Sequence, residues 1–173
     1  MVRIGIITIS DRASRGEYED LSGPAMSAWL QRAIVSKWTP EVRIIPDGVE
    51  SVRDTLMHLA DVTACDLILT SGGTGPSPRD LTPEAMRAVL DFELPGFGEL
   101  MRQTSLRSVP TAILSRQMGG VRGKTLIVNM PGKPRSIDVC LDAVFPAIPY
   151  CLDLIGAGRI ETDEAVVKSF RPV

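Results

Sequence analysis

From Asp66 to Ala85 the chain reads D-L-I-L-T-S-G-G-T-G-P-S-P-R-D-L-T-P-E-A, an apolar run that enters a glycine-rich turn and then a helix start. Gly72, Gly73 and Gly75 allow the backbone positive φ and close approach to a ligand, with no Cβ in the way. Successive free N–H groups in such a turn attract phosphate oxygens, which makes Thr70, Ser71, Gly72, Gly73, Thr74 and Gly75 a candidate anion cradle. Asp80 follows closely, and a carboxylate beside an anion site repels phosphate unless a cation sits between them. Thr82-Pro83-Glu84 then opens a helix, with Thr82 expected as its N-cap and Pro83 at the first helical position. On G-G-T-G alone, a tight turn without a ligand is the competing reading.

The loop is not a Walker A motif, because no G-x-x-x-x-G-K-[ST] occurs in the chain. Residues 118–125 come nearest, but Met118 replaces the first glycine and the apolar residues 126–128 read as strand rather than helix. That segment is expected to be a hairpin turn.

A cradle needs a scaffold to aim it. Residues 4–9, 42–45 and 67–69 read as strands, the last a short apolar run typical of a strand buried on both faces of a parallel sheet. Between them, residues 24–37 place Ala25, Trp29, Leu30, Ala33 and Ile34 on one helical face, and Val52, Leu56 and Leu59 mark a second helix. The alternation implies right-handed βαβ crossovers and a parallel sheet. Further on, residues 83–92 and 99–106 read as helices and residues 111–116 and 124–130 as strands. The connection between those strands is too short for a crossover, so they are expected to pair antiparallel at the sheet's edge. Two helices, 137–144 and 146–155, follow with a break around Pro146 and Pro149. The fold class is therefore α/β, a mostly parallel sheet with an antiparallel strand, formed by one domain over residues 1–158 and followed by a polar, mobile tail over 159–173.

The chain of 173 residues is long enough to bury a real core. A net charge of -2 gives no electrostatic footprint for nucleic acid or an anionic membrane. The N-terminus turns polar too soon for a signal peptide, and no apolar run approaches the roughly 18 residues of a membrane span. A cytoplasmic protein is expected. Cys65, Cys140 and Cys151 lack C-x-x-C spacing and read as buried free thiols, and the single His58 as a structural or surface residue.

Ligands of open α/β sheets bind at the carboxyl ends of the parallel strands. Ser10, Asp11 and Arg12 follow the first strand, Asp47 the second, and the cradle with Arg79 and Asp80 the third. Asn129, Pro131, Gly132 and Ser136 follow the last parallel strand. All converge on one rim, although Asp11 alone reads equally well as the cap of a turn.

Several of these runs resemble one family. Ile9-Ser10-Asp11, Ile45-Pro46-Asp47, Leu69-Thr70-Ser71-Gly72-Gly73-Thr74-Gly75 and Pro78-Arg79-Asp80-Leu81-Thr82-Pro83-Glu84-Ala85 are similar to the molybdopterin adenylyltransferases of molybdenum cofactor biosynthesis, relatives of the gephyrin N-terminal domain. Pro95-Gly96, Leu114-Ser115-Arg116 and Arg122-Gly123-Lys124-Thr125-Leu126-Ile127-Val128-Asn129-Met130-Pro131-Gly132 extend the likeness, which runs in order over about residues 3–155. The resemblance implies a Rossmann-like three-layer fold, a homotrimer, and transfer of AMP from Mg-ATP to the terminal phosphate of molybdopterin with release of pyrophosphate. A molybdenum insertase then exchanges the AMP for molybdate. It further implies that Gly72, Gly73, Thr74 and Gly75 cradle phosphate, that Asp47 and Asp80 are the essential carboxylates holding Mg²⁺, and that Ser10, Asp11, Asn129, Pro131, Gly132 and Ser136 wall the nucleotide and pterin pockets. Ser71 stands where many members have Thr and Leu81 where Val is usual, and an insertion that some bacterial members carry before residues 145–154 is missing.

The residue types suit that chemistry. A phosphate nucleophile is already ionised near neutral pH, so no His is required. The reaction needs in-line positioning of two polyanions and neutralisation of the leaving pyrophosphate, tasks for backbone amides and Mg²⁺. Arg79 or Lys133 would add positive charge. A molybdopterin-binding scaffold without activity is the alternative, and two carboxylates facing phosphate argue against it. A dinucleotide-binding oxidoreductase fails because the first strand ends without G-x-G-x-x-G.

Overall fold

The computed structural model, which describes residues 1–172, contains one six-stranded sheet in the order β2-β1-β3-β6-β5-β4. The strands are β1 (Val2–Ile9), β2 (Trp38–Ile45), β3 (Leu67–Ser71), β4 (Phe92–Glu93), β5 (Gly119–Arg122) and β6 (Thr125–Met130). The helices are α1 (Asp11–Ser14), α2 (Ser22–Ala33), α3 (Val49–Met57), α4 (Thr82–Val89), α5 (Pro95–Ser105), α6 (Arg135–Val144) and α7 (Ile148–Ile155). β2, β1, β3 and β6 run parallel, and β5 is antiparallel to both of its neighbours.

The three layers follow from the two-residue period of the strands. Ile4, Ile6, Leu67, Leu69, Leu126 and Val128 face a core shared with α2, α5, α6 and α7, where Trp29 and Phe145 meet with ring centroids 4.7 Å apart. The alternate residues, Ile7, Ile9, Ile68 and Ile127, face α3 and α4 through Val52, Leu56, Ala85 and Met86. Trp29 keeps its indole N–H satisfied by donating to Asp142 Oδ1 at 2.9 Å.

Several elements differ from the sequence expectation. β2 starts at Trp38 and runs through Pro40, which an edge strand tolerates because its outer N–H groups have no partner to lose. α2 stops at Ala33 rather than near residue 37, because Ile34 turns extended and bridges Thr162. Residues 111–116 are not a strand: Pro110–Leu114 form a 3₁₀ turn, with Ile113 and Leu114 exposed. The hairpin is instead β5–β6, turning at Gly123-Lys124 with Gly123 at φ 55°. β5 is not the edge, since the short β4 pairs along its outer side. The segment after Gly158 is not a mobile tail over its described residues. Ile160 and Val167 are buried in the core, and Arg171 donates to Asp153 Oδ2 at 2.5 Å and to the Ile160 carbonyl at 2.9 Å. Residue 173 lies outside the described residues.

Candidate active site

The chain leaves β1 to build β2 on one side and returns to build β3 on the other, so the carboxyl ends of β1 and β3 flank a topological switch point. Loops diverge there and leave a crevice. A cavity of about 590 Å³ occupies it, bounded by residues 9–12, by the glycine loop at 72–75, and by Asp47, Ser77, Asp80 and Gly132.

The glycine loop is held from behind through its carbonyls. The Gly72 carbonyl accepts from the Thr82 hydroxyl at 3.1 Å and from Asn129 Nδ2 at 3.2 Å. Gly73 O accepts from Thr82 N at 3.1 Å, Thr74 O from Arg116 N at 2.7 Å, and Gly75 O from Arg116 Nε at 3.2 Å. The N–H groups of Gly73, Thr74 and Gly75 have no acceptor among the described residues. Carbonyls tied inward and amides left over make an anion nest. Glycine is required at two positions: a Cβ on Gly72 (φ 117°) would lie 2.2 Å from the Ile9 carbonyl oxygen, and one on Gly73 (φ 65°) 2.1 Å from Thr82 Oγ1. Thr82 is therefore not the N-cap, a position taken by Leu81; its hydroxyl donates back to the loop instead of accepting from the helix.

Carboxylates gather on the same rim, where a Cβ on Gly75 would lie 2.8 Å from Asp80 Oδ2. Asp47 Oδ2 accepts from Asp11 N at 2.8 Å, and Asp80 Oδ2 from Ser77 N at 3.2 Å. Oδ1 of each has no hydrogen-bond partner among the described residues. Burial pushes the Asp47 carboxyl above its ordinary value; the Asp11 N–H pulls it down, while the charges of Asp11 and Asp80 raise it again. Asp11 is held below its ordinary value, chiefly by the Arg79 guanidinium, whose Nε and Nη2 donate to its two oxygens at 2.9 Å each. Arg79 thus serves the carboxylates, and its Nη2 also donates to the Asp47 carbonyl at 3.0 Å.

The other expected site residues separate into two sets. Ser10, Asp11, the three glycines, Thr74 and Gly132 line the cavity with Asp47 and Asp80. Thr70, Ser71 and Asn129 are buried beneath it: Asn129 Nδ2 donates to Thr70 Oγ1 at 2.9 Å, and Ser71 Oγ to the Pro131 carbonyl at 3.0 Å. They hold the β3 and β6 loops together, and a Cβ on Gly132 would lie 3.3 Å from the Gly72 Cα. Ser136 lies in the first turn of α6 and does not line the cavity. Arg12, Arg15 and Tyr18 do line it, with the Arg12 guanidinium 5.0 Å from the Tyr18 ring centroid. Their signal in the sequence is D-R-A-S-R, two cations three apart directly after a strand, hence on one face of a helical turn at the rim.

Known proteins resemble this chain in sequence and in fold. Residues 5–150 match the family described as probable molybdopterin binding domain. The chain belongs to that family. It is 51% identical over 171 residues to the molybdopterin adenylyltransferase of Helicobacter pylori strain J99, covering 99% of this chain and 97% of that protein. It is 47% identical over 183 residues to the enzyme of the same name from Escherichia coli K12, covering 99% and 94%. The crystal structure of the molybdopterin biosynthesis enzyme MoaB from Thermus thermophilus superposes with a TM-score of 0.84 at 42% identity, covering 93% of this chain and all of the other. The family and its solved relatives share the three-layer fold.

The donor set suits magnesium. Mg²⁺ takes oxygen ligands, keeps several waters, and is commonly held by one or two carboxylates together with substrate phosphates. Two aspartates, each with an unengaged oxygen, beside three free amides fit that mode. No group of three or more His, Cys, Asp or Glu side chains is placed to hold a metal among the described residues.

Proposed function

We propose that this chain is a molybdopterin adenylyltransferase, transferring AMP from Mg-ATP to the terminal phosphate of molybdopterin and releasing pyrophosphate. The observation that carries the reading is that the free amides of Gly73, Thr74 and Gly75 line one cavity together with the carboxylates of Asp47 and Asp80. A site that only stored a phosphorylated pterin would gain nothing from two carboxylates facing it.

The amides of the cradle bind and orient the polyphosphate, so that the attacking and leaving oxygens lie in line at the α-phosphorus. Asp47 and Asp80 hold Mg²⁺, which when bound neutralises charge on the departing pyrophosphate. Arg12 and Arg15, with Tyr18, supply positive charge and a flat face at the opposite wall for the second anionic substrate. Ser10, Asp11 and Gly132 shape the pocket, while Thr70, Ser71, Asn129, Pro131 and Ser136 support the loops that form it.

Residues 1–158, with Ile160 and Val167 completing their core, would constitute the substrate-binding domain, acting in the cytoplasm as a homotrimer and delivering its product to a molybdenum insertase. Among the described residues no helix is long and apolar enough to cross a membrane. An apolar groove of about 310 Å³ between Leu94, Phe97, Leu100 and Val144 supports a subunit contact, and sedimentation as a monomer at working concentration would remove that part of the proposal. Incubation with Mg-ATP and molybdopterin, with mass spectrometry of the pterin and assay of pyrophosphate, tests the reaction. Adenylylated molybdopterin and one equivalent of pyrophosphate are expected; bound but unmodified molybdopterin would identify a scaffold.

A further inference from the structure

Behind the cradle, outside the cavity, lies the segment 115–117, and Arg116 at its centre bonds to more of the site than any residue lining it. Its backbone N–H donates to the Thr74 carbonyl at 2.7 Å, and Nε to the Gly75 carbonyl at 3.2 Å. Nη2 donates to the Asp80 carbonyl, and both Nη atoms donate to the Glu84 carboxylate in the first turn of α4. On either side, the Ser115 hydroxyl donates to Gln117 Oε1 at 2.6 Å and lies 3.3 Å from the Thr74 hydroxyl.

One guanidinium therefore ties both ends of the loop 75–80 to the same helix. Within that loop only Asp80 N to Ser77 O and Ser77 N to Asp80 Oδ2 close locally, and residues 76–79 are exposed. The distance from the free amides to the Asp80 carboxylate is consequently fixed from outside the loop. A planar fork that reaches two carbonyls and a carboxylate at once does this; an ammonium is a point charge and does not.

We infer that Arg116 is a positioning residue for the transfer step, setting the placement of Asp80 against the phosphate cradle without touching either substrate. The inference rests on the adenylyl-transfer reading. It assigns Arg116 to the step in which charge on the phosphates is neutralised, and leaves molybdopterin recognition to other residues.

The test uses the full chain with Arg116→Lys, Arg116→Ala and Glu84→Gln, following single-turnover transfer, molybdopterin KM and backbone amide hydrogen exchange. Misplacement of a reacting group by about 1 Å costs on the order of 100-fold, and that loss is expected for Arg116→Lys at saturating substrates. Glu84→Gln, which weakens the guanidinium's tie to α4 and leaves its bonds to the two carbonyls, should lose about tenfold, with molybdopterin KM within about twofold of the parent in both variants. Free guanidinium ion should restore part of the Arg116→Ala activity. Faster exchange should be confined to residues 74–81. Transfer by Arg116→Lys within about threefold of the parent overturns the assignment, and so does faster exchange across the whole sheet, which would make Arg116 a stability residue. If the parent itself transfers no AMP, the functional reading fails separately, and exchange confined to 74–81 still decides the brace.

Discussion

Asp11 and Asp47 exchange hydrogen bonds: the N–H of Asp11 donates to Asp47 Oδ2 at 2.8 Å, and the N–H of Asp47 donates to Asp11 Oδ1 at 3.1 Å. The pair laces the end of β1 to the end of β2 at the mouth of the crevice. Its two carboxyls are pushed in opposite directions, Asp11 down by Arg79 and Asp47 up by burial. One carboxylate of the pair is thus neutralised by a side chain, while the other keeps a charge that its surroundings do not favour.

Asp11→Ala removes the acceptor for Asp47 N–H and the partner of Arg79, but the backbone N–H of residue 11 still reaches Asp47. Stability should fall by about 1 kcal/mol, the small end for charged hydrogen bonds because Arg79 is exposed. The lowered Asp11 carboxyl contributes stability above its ordinary value of 3.8, and loses it as pH falls through its folded value. Denaturant melts of parent and variant should therefore differ at neutral pH and converge in acid. Single-turnover transfer at saturation should stay within about tenfold, or 1.4 kcal/mol; a far larger loss in a folded variant would place Asp11 among the catalytic groups.

For Asp47→Asn the sign reverses. Raising a carboxyl's folded value means that ionisation opposes folding, so the favourable contribution is present below 3.8 and is lost as pH rises through the folded value. The amide oxygen keeps the bond from Asp11 N–H and drops a charge that repels Asp11 and Asp80. Its unfolding midpoint at pH 7 should equal or exceed the parent's while transfer collapses, the trade expected where a strained charge serves catalysis. A variant markedly less stable than the parent at pH 7, with the deficit disappearing in acid, would show Asp47 to be a structural anchor.

Gly73→Ala tests the cradle more gently than a larger side chain would. A Cβ at this position meets Thr82 Oγ1 at 2.1 Å and Thr82 Cβ at 3.1 Å, so even alanine must displace the residue that holds Gly72 and Gly73. ATP affinity should drop at least about tenfold, with about 1 kcal/mol more lost to the left-handed backbone. Pairing it with Thr82→Ala removes the hydroxyl clash but not the φ, so stability should recover in part while ATP affinity does not. Normal ATP binding by Gly73→Ala would place the phosphates elsewhere.

The parallel strands and the glycine loop were legible because each is a local pattern: Leu67, Ile68 and Leu69 must be buried on both faces, and three glycines in four residues permit a cradle. The supports were not legible, since they depend on pairs distant in sequence. Arg116 finds Gly75 and Asp80 across 41 and 36 residues of chain, and nothing in Leu114-Ser115-Arg116 separates a brace from a strand. The apolar run 112–114 suggested a strand, yet Ile113 is 70% exposed. The segment beyond Gly158 reads as polar because Glu161, Asp163 and Glu164 separate Ile160 from Val167, although each of the two fills a gap in a core built by other elements.

Asp80→Asn keeps the shape of the side chain and removes its charge. The amide oxygen still accepts from Ser77 N–H, and Arg116 still holds the Asp80 carbonyl, so the loop should stay in place and the melting behaviour near that of the parent. Molybdopterin binding in the absence of metal never uses the carboxylate and should be nearly unchanged. Adenylyl transfer should fall by roughly 100-fold or more, about 3 kcal/mol, the scale of one lost electrostatic contact in the transition state. Because the deficit is in metal affinity, higher Mg²⁺ should recover part of it, whereas higher molybdopterin should recover none. The opposite pattern, weakened molybdopterin binding with unaltered single-turnover transfer at saturation, would make Asp80 a substrate anchor and leave Asp47 as the only carboxylate for the metal.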